Sequence, residues 1–282
     1  MAINYQEKET ILHVKDLSIA YNGRVIIENI NLEEKNIVLD NGKVQGQTIA
    51  FLGRSGRGKS TFFRALTGLE KPTTGVVLIP DYSKEISNGL QPAKKVQEGD
   101  VGFVNQKYSL FRHKTVYQAL MYALRNSTLS NIEKDEKIMH YLTSWGLEKS
   151  KDQYPNELSG GQRQRTAILE QLLNSGFYMV LDEPFSGLDV GNVMSVKAAF
   201  NLVSESHELN TIIFSTHDIE LAVELADSIY ILGFPMINNE LTNSGTILRN
   251  YDLKKMGIAW HNELTIDHLE LIKEIKSLML AS

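Results

Sequence analysis

The chain of 282 residues contains no cysteine, which excludes disulfides, a thiolate metal site and a cysteine nucleophile. That usage suits the cytoplasm. No apolar run approaches the ~18–20 residues that span a bilayer. The longest candidate, Ser228 to Ile237, is interrupted by Gly233 and Pro235. The start, Met1 to Thr10, lacks the apolar core of a signal peptide. A basic excess is missing too: 29 Lys and Arg against 34 Asp and Glu leave a net charge of −5, which argues against nucleic-acid binding through bulk electrostatics. There is no internal repeat and no low-complexity tract. What is present, 42% hydrophobic and 22% charged residues, allows one large core or two modest ones.

Against that ordinary background one stretch stands out: Gly53-Arg54-Ser55-Gly56-Arg57-Gly58-Lys59-Ser60-Thr61. It fits the phosphate-loop pattern G-x-x-x-x-G-K-[ST]. The apolar strand-like run Thr48 to Leu52 precedes it, and Thr61 to Leu66 suits a helix. The glycines let backbone N–H groups close around a phosphate, and the helix N-terminus adds roughly half a positive charge. Lys59 is placed to reach the β- and γ-phosphates, and the Ser60 hydroxyl to hold Mg²⁺. The chain is therefore expected to bind a nucleoside triphosphate.

The flanking regions suggest how this loop is carried. Ile11–Val14, Leu17–Tyr21 and Arg24–Leu32 read as strands, with Asn22-Gly23 as a hairpin turn. Asn36–Val44 reads as a second hairpin turning at Asn41-Gly42, before a strand at Gln47–Leu52. Gly75–Ile79 and Val101–Val104 are further strands, with a polar surface excursion from Asp81 to Gly99. Helical periodicity dominates Thr115 to Asn174, an expected inserted subdomain spanning about 107–175. Strands at Phe177–Leu181, Thr211–Phe214 and Ile229–Leu232 then alternate with helices at about Asn192–Ser206 and Asp218–Ala226. Such alternation implies a mostly parallel sheet flanked by helices. A last helix, Asp267–Leu280, is expected to start with a capping box from Asp267 and Glu270 and to bury Leu269, Ile272 and Ile275. The expected division is an ATPase domain at 1–250 and a short helical extension at 251–282.

Two further stretches carry chemistry. Asp182 and Glu183 follow a buried strand, where open parallel sheets bind ligands. Asp182 suits Mg²⁺ positioning beside Ser60, and Glu183 suits polarising an attacking water. Leu158-Ser159-Gly160-Gly161-Gln162 opens a helix and is a second ready-made anion site. One nucleotide needs only one such loop, so the economical explanation is that Ser159–Gln162 serve a γ-phosphate held by another copy.

In these motifs the chain resembles an ATP-binding cassette (ABC) ATPase over about residues 11–235, with Leu158–Gln162 equal to that family's signature. The resemblance implies a P-loop NTPase (RecA-like) α/β core, an N-terminal antiparallel β-subdomain and a helical subdomain carrying the signature. It implies ATP and Mg²⁺, with Gln106 touching Mg²⁺ and sensing a transmembrane partner. Ser186-Gly187-Leu188-Asp189 matches the family's D-loop, Ser215-Thr216-His217-Asp218 its switch histidine, and Tyr21 the aromatic stacked on adenine. Taken singly, Tyr21 has a second reading as a hairpin core aromatic, Gln106 reads as an ordinary strand-end amide, and His217 reads more often as a structural histidine. Partners implied are a second cassette (a homodimer), transmembrane permease subunits and, through them, a solute-binding protein. Location would be peripheral, on the cytoplasmic face of the membrane. The look of Gln106–Val116 is similar to importers of the nitrate/sulfonate/taurine group. The alternative is a soluble cassette ATPase acting on nucleic acid or ribosomes. The chain departs from the family at Arg54 and Arg57, at Arg112, in the Asn36–Val44 stretch, and at Leu169-Glu170-Gln171-Leu172 where Ala-Arg-Ala-Leu is usual.

Overall fold

The computed structural model describes residues 4–87, 90–106, 108–238, 240–261 and 263–281. Residues 1–3 and 282 at the ends of the expected domains, 88–89 in the polar excursion and 107 at the expected start of the helical subdomain lie outside the described residues.

Two strands longer than the sequence pattern suggested open the chain. β1 (Tyr5–Tyr21) and β2 (Arg24–Leu39) pair antiparallel around the Asn22-Gly23 turn. Their ladder runs from Tyr21↔Arg24 out to Tyr5↔Leu39. The expected second hairpin is thus not formed. Asn36–Leu39 continues β2 against the chain's start, and Asn41-Gly42 is only a tight turn closed by Gly42 N–H onto the Leu39 carbonyl at 3.1 Å. The local signal at Asn41-Gly42 was sound, but the strand partner came from Tyr5–Glu7, too far away in sequence for periodicity to show. Left-handed residues Asp16 (φ 47°) and Asn29 (φ 50°) lie where the β1–β2 register shifts, as bulges do.

β4 (Thr74–Pro80) joins β1 on its other side, and β5 (Ala93–Lys95) pairs with β4, so the polar excursion returns one short strand. This antiparallel sheet, ordered β2-β1-β4-β5, packs over a six-stranded sheet. The latter contains β3 (Gln47–Leu52), β6 (Gly102–Val104), β7 (Tyr178–Leu181), β8 (Thr211–Thr216), β9 (Ser228–Gly233) and β12 (Thr246–Asp252). Its order is β12-β9-β3-β8-β7-β6, with β12 antiparallel at the edge and the rest parallel. All six residues of β3 are buried, as expected of a strand covered on both faces. Ile49 and Phe51 face the antiparallel sheet and α1 (Lys59–Leu66); Ala50 and Leu52 face the helical side.

The helical block comprises α2 (Val116–Ala123), α3 (Asn131–Ser144) and α4 (Gly160–Ser175). Each starts at a reciprocal capping box, Thr115/Gln118, Ser130/Glu133 and Ser159/Gln162, which satisfies two otherwise orphaned backbone N–H groups per helix. α5 (Val190–Ser206) and α6 (Ile219–Leu225) flank the sheet. A small hairpin, β10 (Met236–Ile237) and β11 (Glu240–Leu241), follows β9.

The C-terminal helix α7 (Ile266–Ala281) is present, but its start differs from expectation. Thr265 N–H donates to His268 Nδ1 at 3.0 Å, so the imidazole plays the part foreseen for Glu270. With Nδ1 accepting, His268 Nε2–H donates to the Ile258 carbonyl at 2.8 Å. The buried stripe is Leu271, Ile272 and Ile275, while Leu269 is 49% exposed. These residues join the apolar cluster of β3, β8 and α5. Lys254 adds a buried ionic knot, donating to Ser228 Oγ at 2.7 Å and lying 3.4 Å from Asp252 and 3.7 Å from Glu34.

Candidate functional site

At the C-terminal end of β3 the backbone passes so close to β9 that a Cβ at Gly53 would lie 2.4 Å from the Leu232 carbonyl oxygen. The loop then turns through Gly58, φ 92°, directly into α1. No side chain caps α1, so its first N–H groups stay available to an anion. Lys59 is only 8% exposed. Its Nζ donates to the Gly53 carbonyl at 2.5 Å and lies 3.3 Å from Glu183 Oε1.

Glu183 stands just past β7 with φ 50°, a conformation that costs a non-glycine residue energy and is held only by its surroundings. Here the restraint is Ser215. Its hydroxyl accepts the Glu183 N–H at 2.9 Å and donates to Asp182 Oδ1 at 2.7 Å. Glu183 Oε2 meets His217 Nδ1 at 3.0 Å. Gln106 Nε2 donates to Ser186 Oγ at 3.1 Å. Lys59, Gln106, Glu183, Ser186 and His217, together with Arg54, Ser55, Gly56, Gly58, Ser60, Thr61, Asp182 and Ile26, line one cleft of ≈ 420 Å³. Ile26 belongs to no motif, and Ser186 comes from the D-loop stretch, of which only Asp189 was expected at the site. Ser215 belongs to the quoted switch stretch, but its joint hold on Asp182 and Glu183 follows only from β7 and β8 being neighbours.

Other expected residues lie elsewhere. Tyr21 does not line the cleft. It is 41% exposed, and its phenol is pushed upward by burial and then by the Glu70 carboxylate beside it. The Arg57 guanidinium sits over the Phe234 ring, 4.0 Å from its centroid. Ser159, Gly160, Gly161 and Gln162 form the start of α4 and also stand outside the cleft lining. Ser159 Oγ accepts the Gln162 N–H at 3.3 Å, and Gln162 Oε1 accepts the Ser159 N–H at 2.8 Å. Gly161 lies against Asn192, where an added Cβ would approach Oδ1 to 2.8 Å. Asp189 caps α5 by accepting from the Asn192 backbone and side chain, both at 2.9 Å. The D-loop aspartate and the start of α4 are thus mechanically joined through Asn192.

A second joint lies next to Glu183. The Pro184 carbonyl accepts from Tyr108 Oη at 2.6 Å and from Gln164 Nε2 at 2.8 Å. It ties the loop after β6 and the buried side of α4 to the same backbone oxygen. Among the described residues no three His, Cys, Asp or Glu side chains converge to hold a metal. Any divalent ion here would have the Asp182 carboxylate, the Ser60 hydroxyl and Gln106 within the cleft, the second carboxylate, Glu183, being engaged by Lys59 and His217. That sparse oxygen set suits Mg²⁺ shared with phosphate oxygens.

A buried parallel strand feeding a glycine loop and an uncapped helix, with an acidic pair at the end of a nearby strand, defines a P-loop nucleoside triphosphatase. The family model described as "ABC transporter" matches residues 36–186, and the chain belongs to that family. A probable sulfate/thiosulfate import ATP-binding protein of Chlorella vulgaris is 36% identical over 219 residues, covering 78% of this chain and 86% of that protein. An arginine transport ATP-binding protein of Bacillus subtilis is 35% identical, covering 80% and 89%. Some relatives are longer: the chain spans 62% of a sulfate/thiosulfate import ATP-binding protein of Shewanella oneidensis at 34% identity. Among solved structures, cbiO1 from Clostridium perfringens, part of the transporter complex cbiONQ, superposes with TM-score 0.68 at 25% identity. It covers 97% of this chain and 100% of that one.

The chain is an ATPase subunit of importer type that powers a multi-subunit membrane transporter, and the nucleic-acid or ribosome alternative is set aside on these relatives. No described helix is long and apolar enough to cross a membrane.

Proposed function

We propose that ATP lies in the cleft below Lys59 and that a second copy of this chain completes each site. The observation carrying this reading is the separation of the two anion sites. Arg54, Ser55, Gly56, Gly58, Lys59, Ser60 and Thr61 line the cleft, whereas Ser159–Gln162 open α4 outside it. A twofold pair placing each α4 start over the other copy's cleft closes with one self-complementary interface.

In this reading Lys59 and the α1 N–H groups cradle the phosphates, and Ser60, Asp182 and Gln106 hold Mg²⁺. When bound, the ion supplies charge neutralisation at the phosphoryl oxygens. Glu183 orients and deprotonates the attacking water, with His217 fixing its carboxylate. Ser159, Gly161 and the α4 dipole of the opposing copy stabilise charge on the transferred group, with Asp189 beside them. Gly53–Thr61, Gly160 and Gln162 contribute backbone and capping, and Tyr21 is the candidate adenine contact at the rim. Residues 1–250 form the ATPase domain, with its helical subdomain at about 107–175, and 251–282 an extension fastened through Lys254. Transmembrane permease subunits, alone or with a solute-binding protein, hold the chain at the cytoplasmic face of the membrane.

The test is concentration. Specific ATPase activity of the isolated chain should rise with protein concentration until the dimer saturates. A flat response across the range in which sedimentation shows a monomer would refute completion by a second copy.

A further inference from the structure

Ser215 is a hydroxyl at a position surrounded by strand. It follows Thr211-Ile212-Ile213-Phe214 in β8 and is fully buried. On one side it pairs with Phe51 of β3; on the other it stands one position past the Leu181↔Phe214 pair, level with Asp182. A hydroxyl buried this deeply needs partners. It donates to Asp182 Oδ1 at 2.7 Å and accepts the Glu183 N–H at 2.9 Å. Its single proton fixes the roles. An ionised carboxylate only accepts, so the O–H goes to Asp182 and a lone pair is left for Glu183. The carboxylate also polarises the hydroxyl, which makes that lone pair a better acceptor.

Glu183 needs such a hold. Its φ of 50° is unfavourable for a residue with a Cβ, and the following Pro184 biases the same residue toward extended backbone. Beyond Glu183 the turn is secured by other groups. The Glu183 carbonyl accepts the Ser186 N–H at 3.1 Å, and the Pro184 carbonyl accepts from Tyr108 and Gln164. The Glu183 N–H itself has one acceptor among the described residues, the Ser215 hydroxyl. With the peptide turned this way, Oε1 meets Lys59 and Oε2 meets His217.

We propose that Ser215 is a positioning residue for Glu183: its hydroxyl, oriented by Asp182, locks the strained peptide that aims the carboxylate at Lys59 and His217. Ser215 does not line the cleft, so it acts through its neighbours. The inference rests on the reading of Glu183 as the base.

The experiment uses the full chain and compares wild type with S215A, S215C, E183Q and S215A/E183Q. S215C keeps the bulk of the side chain with a poor hydrogen-bonding group, and it stands in for S215A should thermal melting show that variant to unfold early. Losing the acceptor should lower kcat roughly ten- to a hundredfold in S215A and S215C. Kd for MgATP, read by equilibrium titration, should stay within about threefold of wild type or tighten, because a displaced Glu183 also releases Lys59. In the E183Q background the same substitution should cost under about twofold, since the group it positions is already gone. In the free chain, amide hydrogen exchange at Glu183 should be faster in S215A than in wild type. Wild-type kcat in both Ser215 variants, Kd weakened beyond threefold, an equal fall in the E183Q background, or unchanged protection of the Glu183 amide would each overturn the proposal. Wild-type turnover in E183Q itself would instead sink the assignment of the base.

Discussion

Lys59 and Glu183 form an ion pair across the phosphate loop, Nζ to Oε1 at 3.3 Å, with both side chains largely buried. In the free protein the cation meant for phosphate is thus already engaged by the proposed water-activating base. ATP has to separate the two, so the carboxylate works against binding and for turnover.

Replacing Glu183 by Gln should therefore move two quantities in opposite directions. Turnover falls by ~10²–10⁴, the usual contribution of a positioned base. MgATP affinity tightens by roughly three- to tenfold, because Lys59 is no longer neutralised. Rapid-quench turnover and calorimetric titration check both. Weaker binding in E183Q, or wild-type turnover, contradicts the assignment.

Completion by a second copy makes a mixing prediction. K59A and a variant blocked at the α4 start, such as S159R, should each be inactive alone. Mixed in equal amounts, they should regain activity, because a mixed pair contains one cleft with Lys59 facing one intact Ser159. A chain that works alone gains nothing from mixing. The assay is phosphate release against the mixing ratio, and a flat line would eliminate the composite site.

Glu170 stands in α4 where an arginine is usual in the family, and burial pushes its carboxyl up from 4.5 to about 7, with Arg125 pulling only weakly the other way. Its folded value lies above its unfolded one, so the folded state binds the extra proton. Stability tied to this group is complete below about pH 4.5 and declines as pH rises toward 7. E170Q removes that decline. It should be more stable than wild type at pH 8, by up to about 3 kcal/mol, with the gap closing near pH 4.5. Denaturant melts at the two pH values decide it, and equal stability at pH 8 would show that the carboxylate is compensated.

Lys254 is a buried cation among Glu34, Asp252 and the Asp227 backbone. K254M leaves Glu34, itself 7% exposed in its side chain, without that charge, which typically costs 3–5 kcal/mol. Part of this should return in K254M/E34Q. Equilibrium unfolding measures both, and a loss under about 1 kcal/mol in K254M would mean that solvent reaches the knot.

The parallel core and the phosphate cleft were legible in the sequence because each depends on local pattern. Thr48–Leu52, the glycine loop and the start of α1 are contiguous, and the end of β7 delivers Asp182 and Glu183 together. What escaped depends on pairing between distant segments. Asn36–Leu39 looked like a separate hairpin because its partner, Tyr5–Glu7, lies at the other end of a long ladder. Ile26 enters the cleft through the fold of neighbouring strands with no motif of its own, and Ser186 enters from the D-loop stretch, in which only Asp189 had been singled out. At α7 the foreseen Asp267/Glu270 cap gave way to Thr265 and His268, because the imidazole also satisfies the Ile258 carbonyl in the interior. Arg57 was visible as an anomaly, but its ring partner is far downstream and nothing in the intervening pattern links them.

The oxygen of Pro184 has two donors arriving from different parts of the molecule, Tyr108 and Gln164. Because it belongs to the peptide next to Glu183, it behaves as a pivot pin. The segment after β6 and α4 thus meet one residue from the carboxylate that faces Lys59 and His217. Distortion of either element would thereby reach the backbone within one residue of the proposed base.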